Sequence, residues 1–279
     1  MSNQGPLRPE EYLEPDCPLC GNPYESLHPV RPVPQQRILN KLDDYMSRRD
    51  YDGAERHLLY WLKEAEQGRD LRGQLLVCNE LIGHYRKTGS RENAFRYAEL
   101  ALSLLEDMDF EGSISAGTTY VNAATAYSAF GENQRALELF ERAKTLYEST
   151  PHTQAHLLGG LYNNMALVLQ TLGRFPEAFE LYNKAMKTME TVPGGVLEQA
   201  ITCLNMADAV AAQFGQEEGE ARIFELLDRA DELLHDKSAP HNGYYAFVCE
   251  KCSPTFSYYG YFAVAEELQR EAKEIYERA

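Results

Sequence analysis

Basic residues are scarce in this chain of 279: Lys plus Arg number 27 against 43 Asp plus Glu, a formal charge of −16 at pH 7. So acidic a chain argues against nucleic acid as a partner, because affinity there comes largely from cations that neutralise phosphates. It argues equally against docking on an anionic membrane. Cysteine is thin, six in all, below the density of a disulfide scaffold, so reduced thiols are expected. Long apolar runs are missing. The longest stretch without charge, 112–131, could span a bilayer by length, but Ser113, Ser115, Thr118, Thr119, Asn122, Thr125 and Ser128 make it too polar to face lipid. The opening MSNQGPLRPEEY has no basic segment leading into an apolar one. No signal peptide is therefore visible, and a soluble, cytoplasmic protein is expected.

Catalytic signatures are missing too. There is no G-x-x-x-x-G-K-[ST], G-x-G-x-x-G, H-E-x-x-H or G-x-S-x-G. The seven histidines are scattered, and only His152 and His156, four apart, could share a metal, with ordinary surface residues as the bland alternative. Asp208 occupies a position normally filled by Gly or Ala, and a carboxylate buried there would need a partner. One such residue is no active site, so the expectation is a protein without enzymatic activity.

What is present is regularity. Hydrophobic residues make up 44% and charged residues 25%, values of an ordinary globular chain. Gly89, Gly131, Gly173 and Gly215 are 42 residues apart, and Gly260 follows after 45. Alanines come 5 and 12 residues after four of these glycines: Ala94/Ala101, Ala136/Ala143, Ala178/Ala185 and Ala265/Ala272. Ala54 and Trp61 repeat that step after Arg49, which stands where the glycine would be. After Gly215 the later alanine is Ala230, and a three-residue insertion within 215–219 would explain both irregular intervals.

Each unit reads as two helices around a tight turn. Tyr162, Met165, Ala166 and Leu169 recur at i, i+3, i+4 and i+7, an amphipathic helix ended by Gly173, which can take a left-handed conformation. Pro176 suits the opening turn of the next helix. Ala178, Phe179, Tyr182, Ala185, Met186 and Met189 then line one face of it, the small residues letting the two helices approach closely. One pair cannot bury its apolar face, so successive pairs must stack into a solenoid.

In these residues the chain resembles tetratricopeptide repeats, and more narrowly the 42-residue type of kinesin light chains and bacterial adaptors. The nearest unit is Tyr162-Asn-Asn-Met-Ala-Leu through Gly173-Arg-Phe-Pro-Glu-Ala and Tyr182-Asn-Lys-Ala. The resemblance implies an all-α, right-handed α-solenoid of about six helix pairs over residues 35–279, preceded by a short Pro-rich, non-helical arm at 1–34. It also implies that the first helix of each pair lines a concave groove holding an extended peptide or partner segment. Carried over by position, the groove comprises Asn79, Arg86, Lys87, Asn122, Thr125, Asn163, Asn164, Gln170 and Asn205, with Thr118, Ser128, Thr202 and Gln213 beside them. Asparagine suits such a wall because its amide both donates to and accepts from a bound backbone. The same asparagines could instead bond the neighbouring repeat and set the solenoid's twist. Arg86/Lys87 matches only a fragment of the carboxylate clamp of chaperone-binding members.

Residues 1–34 hold eight of the thirteen prolines, which excludes a helix there. Within them Cys17-Pro-Leu-Cys20-Gly21 resembles the knuckle of zinc ribbons, whose tight turn aims two thiolates at one point. Zinc takes four ligands, and this knuckle supplies two. His28, a second chain's Cys17/Cys20, or the Cys249/Cys252 pair could complete it, although Cys249 and Cys252 fall at packing positions of the last unit and core packing is their bland reading. Some 15 residues of arm reach at most roughly 50 Å, and five repeat steps of about 10 Å span as much. Reaching Cys249 would therefore need a stretched arm or a curled solenoid. A metal-free turn, a redox dithiol and a plug folded into the groove are the other readings of the arm. Near the C-terminus, Tyr244/Tyr245 and Tyr258/Tyr259/Tyr261 read as a cap on the solenoid, and Pro254 should kink or end its helix early.

The reading as a whole is a non-enzymatic protein–protein interaction module, an adaptor or scaffold. Its alternatives are a peptide-sensing signalling regulator and an element assembled through zinc at the knuckle. Nothing in the sequence sets an oligomeric state or names the partner.

Overall fold

A computed structural model describes residues 30–278. Among them the secondary structure is all helical: α1 Gln35–Ser47, α2 Tyr51–Gln67, α3 Leu71–Thr88, α4 Arg91–Asp107, α5 Ile114–Ala129, α6 Asn133–Ser149, α7 Ala155–Thr171, α8 Phe175–Met189, α9 Val196–Phe214, α10 Gln216–Leu234, α11 Gly243–Tyr258 and α12 Phe262–Arg278. They form six antiparallel pairs. The turn inside every pair passes through one residue of positive φ: Gly89, Gly131, Gly173, Gly215 and Gly260 at 74–87°, and in the first pair Arg49 at 56°. Arg49 thus does the glycine's job at some steric cost. Turns between pairs use the same device at Arg69, Asp109, His152 and Gly194. Side chains cap several helix starts: Asp50 accepts from the N–H of Gly53, Asp70 from Gly73, Ser113 from Ala116 and Asn242 from Tyr244 and Tyr245.

The alanine positions are where helices meet. Ala54, Ala94, Ala101, Ala136, Ala143, Ala178, Ala185 and Ala230 have no exposed surface. In five of the six second helices the fourth residue is one of these alanines or Ala265. In α10 it is Gly219, beside which an added Cβ would press on the Val210 side chain. The three residues expected as an insertion within 215–219 do not form a loop, since α10 starts directly at Gln216. The turn is one residue shorter and α10 gains about one helical turn before Ala230, which accounts for the shifted alanine and the longer interval. Nor does Pro254 end its helix: α11 runs on to Tyr258. Cys252, Ser253 and Phe256 are buried around it, and Ser253 Oγ donates to the Ala265 carbonyl at 3.1 Å while accepting from Gln269 Nε2 at 2.9 Å. This packing against α12 compensates for the helical hydrogen bond that proline cannot make.

Curvature follows from unequal packing. Each of α3, α5, α7 and α9 packs on the next odd-numbered helix, whereas the even-numbered helices do not approach one another comparably. The odd helices form the inner wall and the even helices the outer one. The array bends far enough for its ends to touch. Arg49, in the first turn, pairs with Glu250 of α11 and lies 4.8 Å from the Tyr276 ring of α12. Lys87, at the end of α3, sits 5.3 Å from the Tyr51 ring and 5.8 Å from the Phe247 ring of α11. A seam of side chains thus joins the first two repeats to the last.

Candidate functional site

The inner wall is a polar surface with its own hydrogen-bond order. Asn79 Nδ2 donates to Thr119 Oγ1 at 3.0 Å, and Asn122 Nδ2 donates back to Asn79 Oδ1 at 2.9 Å. Two repeats on, Asn163 Oδ1 accepts from Thr202 Oγ1 at 3.1 Å and from Asn205 Nδ2 at 3.0 Å. Four of the expected groove asparagines therefore couple neighbouring inner helices, and buried Thr119 and Thr202 complete the couplings. The Asn122 and Asn205 oxygens and the Asn163 amide nitrogen make no other hydrogen bond among the described residues, nor does the Asn164 side chain. Thr125 is satisfied within its helix, donating to the Val121 carbonyl at 2.7 Å. Gln170 is turned toward its own repeat, where its oxygen accepts from Tyr182 Oη at 2.7 Å.

Two glycines widen this wall. Gly83 precedes Arg86 and Lys87 by one turn, and Gly160 precedes Asn163 and Asn164 in the same way. A Cβ at either would meet nothing within 4 Å. A helix-interior glycine costs about 1 kcal/mol relative to alanine, and packing does not require it at these two places. Gly117 and Gly159 differ, because a Cβ there would run into Tyr147 and Met189 respectively. A cavity of about 430 Å³ opens among α1, α3 and α5, lined by Gln35, Arg72, Asn79, Glu80, Phe110, Thr118 and Asn122. Glu80 is half-buried there, and desolvation, with Asp43 nearby, raises its carboxyl pKa. Arg86 and Lys251 lie on the inner wall at the seam. Both keep contact with solvent, yet protein crowds them enough to push each pKa down.

Sequence reasoning missed a second network. The hydroxyls of Tyr85, Tyr162, Tyr244, Tyr245, Tyr259, Tyr261 and Tyr276 donate to Glu55, Glu148, Glu198, Glu271, Asp208, Asp228 and Glu250 respectively. In a chain with 43 acidic and 27 basic residues, tyrosine supplies donors that cations cannot. The excess of acid beside 18 tyrosines was the available signal. Asp208 finds its partner here: desolvation raises its pKa and the 2.9 Å bond from Tyr259 opposes the rise. The C-terminal tyrosines tie α9–α12 together, although Tyr258 is 68% exposed.

Cys249 and Cys252 are buried, and desolvation pushes their thiols up to about 11 and about 12. The curled array removes the distance objection to a link with the arm, while their burial in the core stands against one. No group of three or more His, Cys, Asp and Glu side chains suited to a metal occurs among the described residues. Cys17, Cys20 and His28 lie outside them. His152 sits in a turn and His156 near the start of α7, both exposed. Among the described residues no helix is long and apolar enough to cross a membrane.

Six antiparallel pairs with an inner helical wall define an α-solenoid of stacked helix pairs. Residues 117–150 and 159–192 match the tetratricopeptide repeat family model. The nearly identical TPR-like repeats of a Podosopora anserina protein assigned as a kinesin light chain are 18% identical, over 72% of this chain and 94% of that one, with a TM-score of 0.51. A point variant of those repeats has the same identity and coverage at 0.52. BtubC (BKLC) from P. vanneervenii is 17% identical over 88% of this chain and 91% of its own, at 0.48. No curated protein matches the sequence. The likeness to the Podosopora anserina repeats shows the fold. Tetratricopeptide repeats generally serve as protein–protein interaction scaffolds and are typically non-enzymatic.

Proposed function

We propose that this protein is an interaction module that takes up an extended segment of a partner protein along the inner wall of α3, α5, α7 and α9. The observation carrying this reading is the pair of helix-interior glycines, Gly83 and Gly160, which face open space on that wall. Each weakens its helix without easing any contact, as expected where a ligand's backbone must approach closely. The unspent amide groups of Asn122, Asn163, Asn164 and Asn205 support the same reading. They offer acceptors and donors at repeat spacing to a chain that needs both.

The end-to-end seam favours a second reading, a peptide-responsive regulator. It is made of side-chain contacts alone, so a segment filling the groove would shift the balance between closed and open arrays.

Selection of peptides from a random display library, followed by hydrogen-exchange mapping of the best binder on the whole protein, tests both. Protection concentrated on α3, α5, α7 and α9 supports the groove. Protection on the even-numbered helices, or no enriched sequence at all, counts against it. Altered exchange at α11 and the first turn on binding would support the regulator.

A further inference from the structure

Ring closure brings two cations from opposite ends of the chain to one place. The Lys87 ammonium is 5.8 Å from the Phe247 ring. Lys251 lies one helical turn beyond Phe247 on α11, so the end of α3 that carries Lys87 faces the stretch of α11 that carries Phe247 and Lys251, and the charge of Arg86, next to Lys87, acts on Lys251. Neither Arg86 nor Lys251 makes an ion pair or hydrogen bond among the described residues. Glu250, next to Lys251 in sequence, is taken by Arg49 and Tyr276. Glu55, across α3, is taken by Tyr85 at 2.6 Å. Gly83, one turn before Arg86, leaves space on the same face. Both side chains are exposed, and like charges facing each other across the seam repel: desolvation and the Arg86 charge lower the Lys251 pKa, and desolvation lowers that of Arg86. Among the described residues no carboxylate stands against this pair.

We infer that the seam is an anion site: a phosphate-type oxyanion, free or carried by a partner segment, sits between Arg86 of α3 and Lys251 of α11, with Lys87 beside it, and locks the closed array. Both walls then contact one ligand, and the repulsion across the seam becomes attraction to a shared counter-charge. The guanidinium fork of Arg86 suits bidentate contact with two phosphate oxygens, and Lys251 and Lys87 add point charges from either side. The site differs from a clamp on one run of consecutive repeats, because it exists only while the second and sixth repeats face each other.

The test uses the full-length protein and calorimetric titration with inorganic phosphate, against chloride at matched ionic strength. A phosphorylated peptide and its Glu-substituted counterpart form two further arms. Wild-type protein is expected to bind phosphate, and Arg86→Gln and Lys251→Gln each to weaken it about tenfold or more, the loss of one charge-assisted contact. Lys187→Gln, on α8 of the outer wall, should leave binding unchanged. Small-angle scattering should show phosphate reducing the maximum dimension of wild-type protein but not of Lys251→Gln. Without phosphate, both variants should melt no lower than wild type, since repulsion is relieved, which separates lost binding from lost folding. Tighter binding of phosphopeptide than of phosphate assigns the anion to a partner, and equal binding assigns it to free phosphate. Binding no stronger than that of chloride, or kept intact in Lys251→Gln, overturns the site. Preference for the Glu peptide over the phosphopeptide overturns the phosphate assignment. The inference rests in part on the interaction-module reading. Peptide binding at α5–α9 that survives Arg86→Gln would preserve that reading while phosphate indifference sank this one.

Discussion

Asn163 on α7 and Asn205 on α9 are joined side chain to side chain across the repeat boundary, Nδ2 of Asn205 donating to Oδ1 of Asn163 at 3.0 Å, with Thr202 sharing the same oxygen. An oxygen holding two donors from the next inner helix fixes the rotation of one repeat on another. Asn163→Ala leaves the Asn205 amide without its acceptor, while Thr202 keeps its bond to the Glu198 carbonyl. We expect a loss of about 1–2 kcal/mol in urea unfolding. A double-mutant cycle with Asn205→Ala should show coupling of roughly 0.5–1.5 kcal/mol. Strict additivity would mean that the bond does not hold the boundary.

The seam is built from an exposed ion pair. Arg49 and Glu250 are 54% and 42% accessible, and such pairs contribute about 0–1 kcal/mol and weaken in salt. Glu250→Gln should therefore leave the melting temperature nearly unchanged while increasing the radius of gyration by small-angle scattering. Raising salt to about 1 M, where screening falls to about 3 Å, should expand the wild type likewise. An unchanged radius in both would show that helix packing alone sets the curvature.

The glycines separate the groove from the core. Gly83→Ala and Gly160→Ala should each raise stability by about 1 kcal/mol, the helix propensity difference, and weaken any selected peptide that crosses those positions. Gly117→Ala should do the opposite and lower stability by about 1–3 kcal/mol, because its Cβ meets the Tyr147 ring. Thermal melts and peptide titrations on the three variants decide the matter.

Glu80 should govern part of the pH response. Its folded-state pKa lies above the ordinary 4.5 through desolvation first and Asp43 second. The folded state then binds the proton more tightly than the unfolded state, so stability falls as pH rises from about 4.5 through the raised value. Glu80→Gln removes that loss. The variant should melt above wild type at pH 7, and the difference should vanish near pH 4. A difference constant with pH would exclude titration of Glu80 as its cause.

Metal content tests the knuckle. Zinc bound by Cys17 and Cys20 would appear as about one equivalent per chain, or half if two chains share a site with four ligands. It should be lost from a Cys17→Ser/Cys20→Ser variant. Protein purified without an affinity tag and free of zinc would make the pair a structural turn.

The fold was legible because its signals are local. A glycine every 42 residues and alanines at fixed offsets name the turns and the close approaches, and each acts within one helix pair. The site was legible only by position. Asn79, Asn122, Asn163 and Asn205 were identifiable as inner-wall residues, but sequence could not say that they would spend half their hydrogen-bonding groups on one another. Gln170 misled for the same reason: its helix phase suits the groove, while the Tyr182 hydroxyl draws its oxygen to the other side. At Pro254 the local rule that a proline ends its helix is overridden, because packing against α12 compensates for one absent N–H.

The amino-acid sequence alone determined the repeat period, the helix pairs, the small residues at their crossings and the excess of acid. These depend on backbone propensity and on neighbours a few residues away. Tertiary structure decided what faces what: which carboxylate takes which tyrosine, and that Arg49 would reach Glu250 and bring Arg86 within range of Lys251. That meeting is the sum of small rotations at five repeat boundaries, each set by side-chain packing. No single segment encodes it, so the seam and its unpaired cations exist only in the folded array.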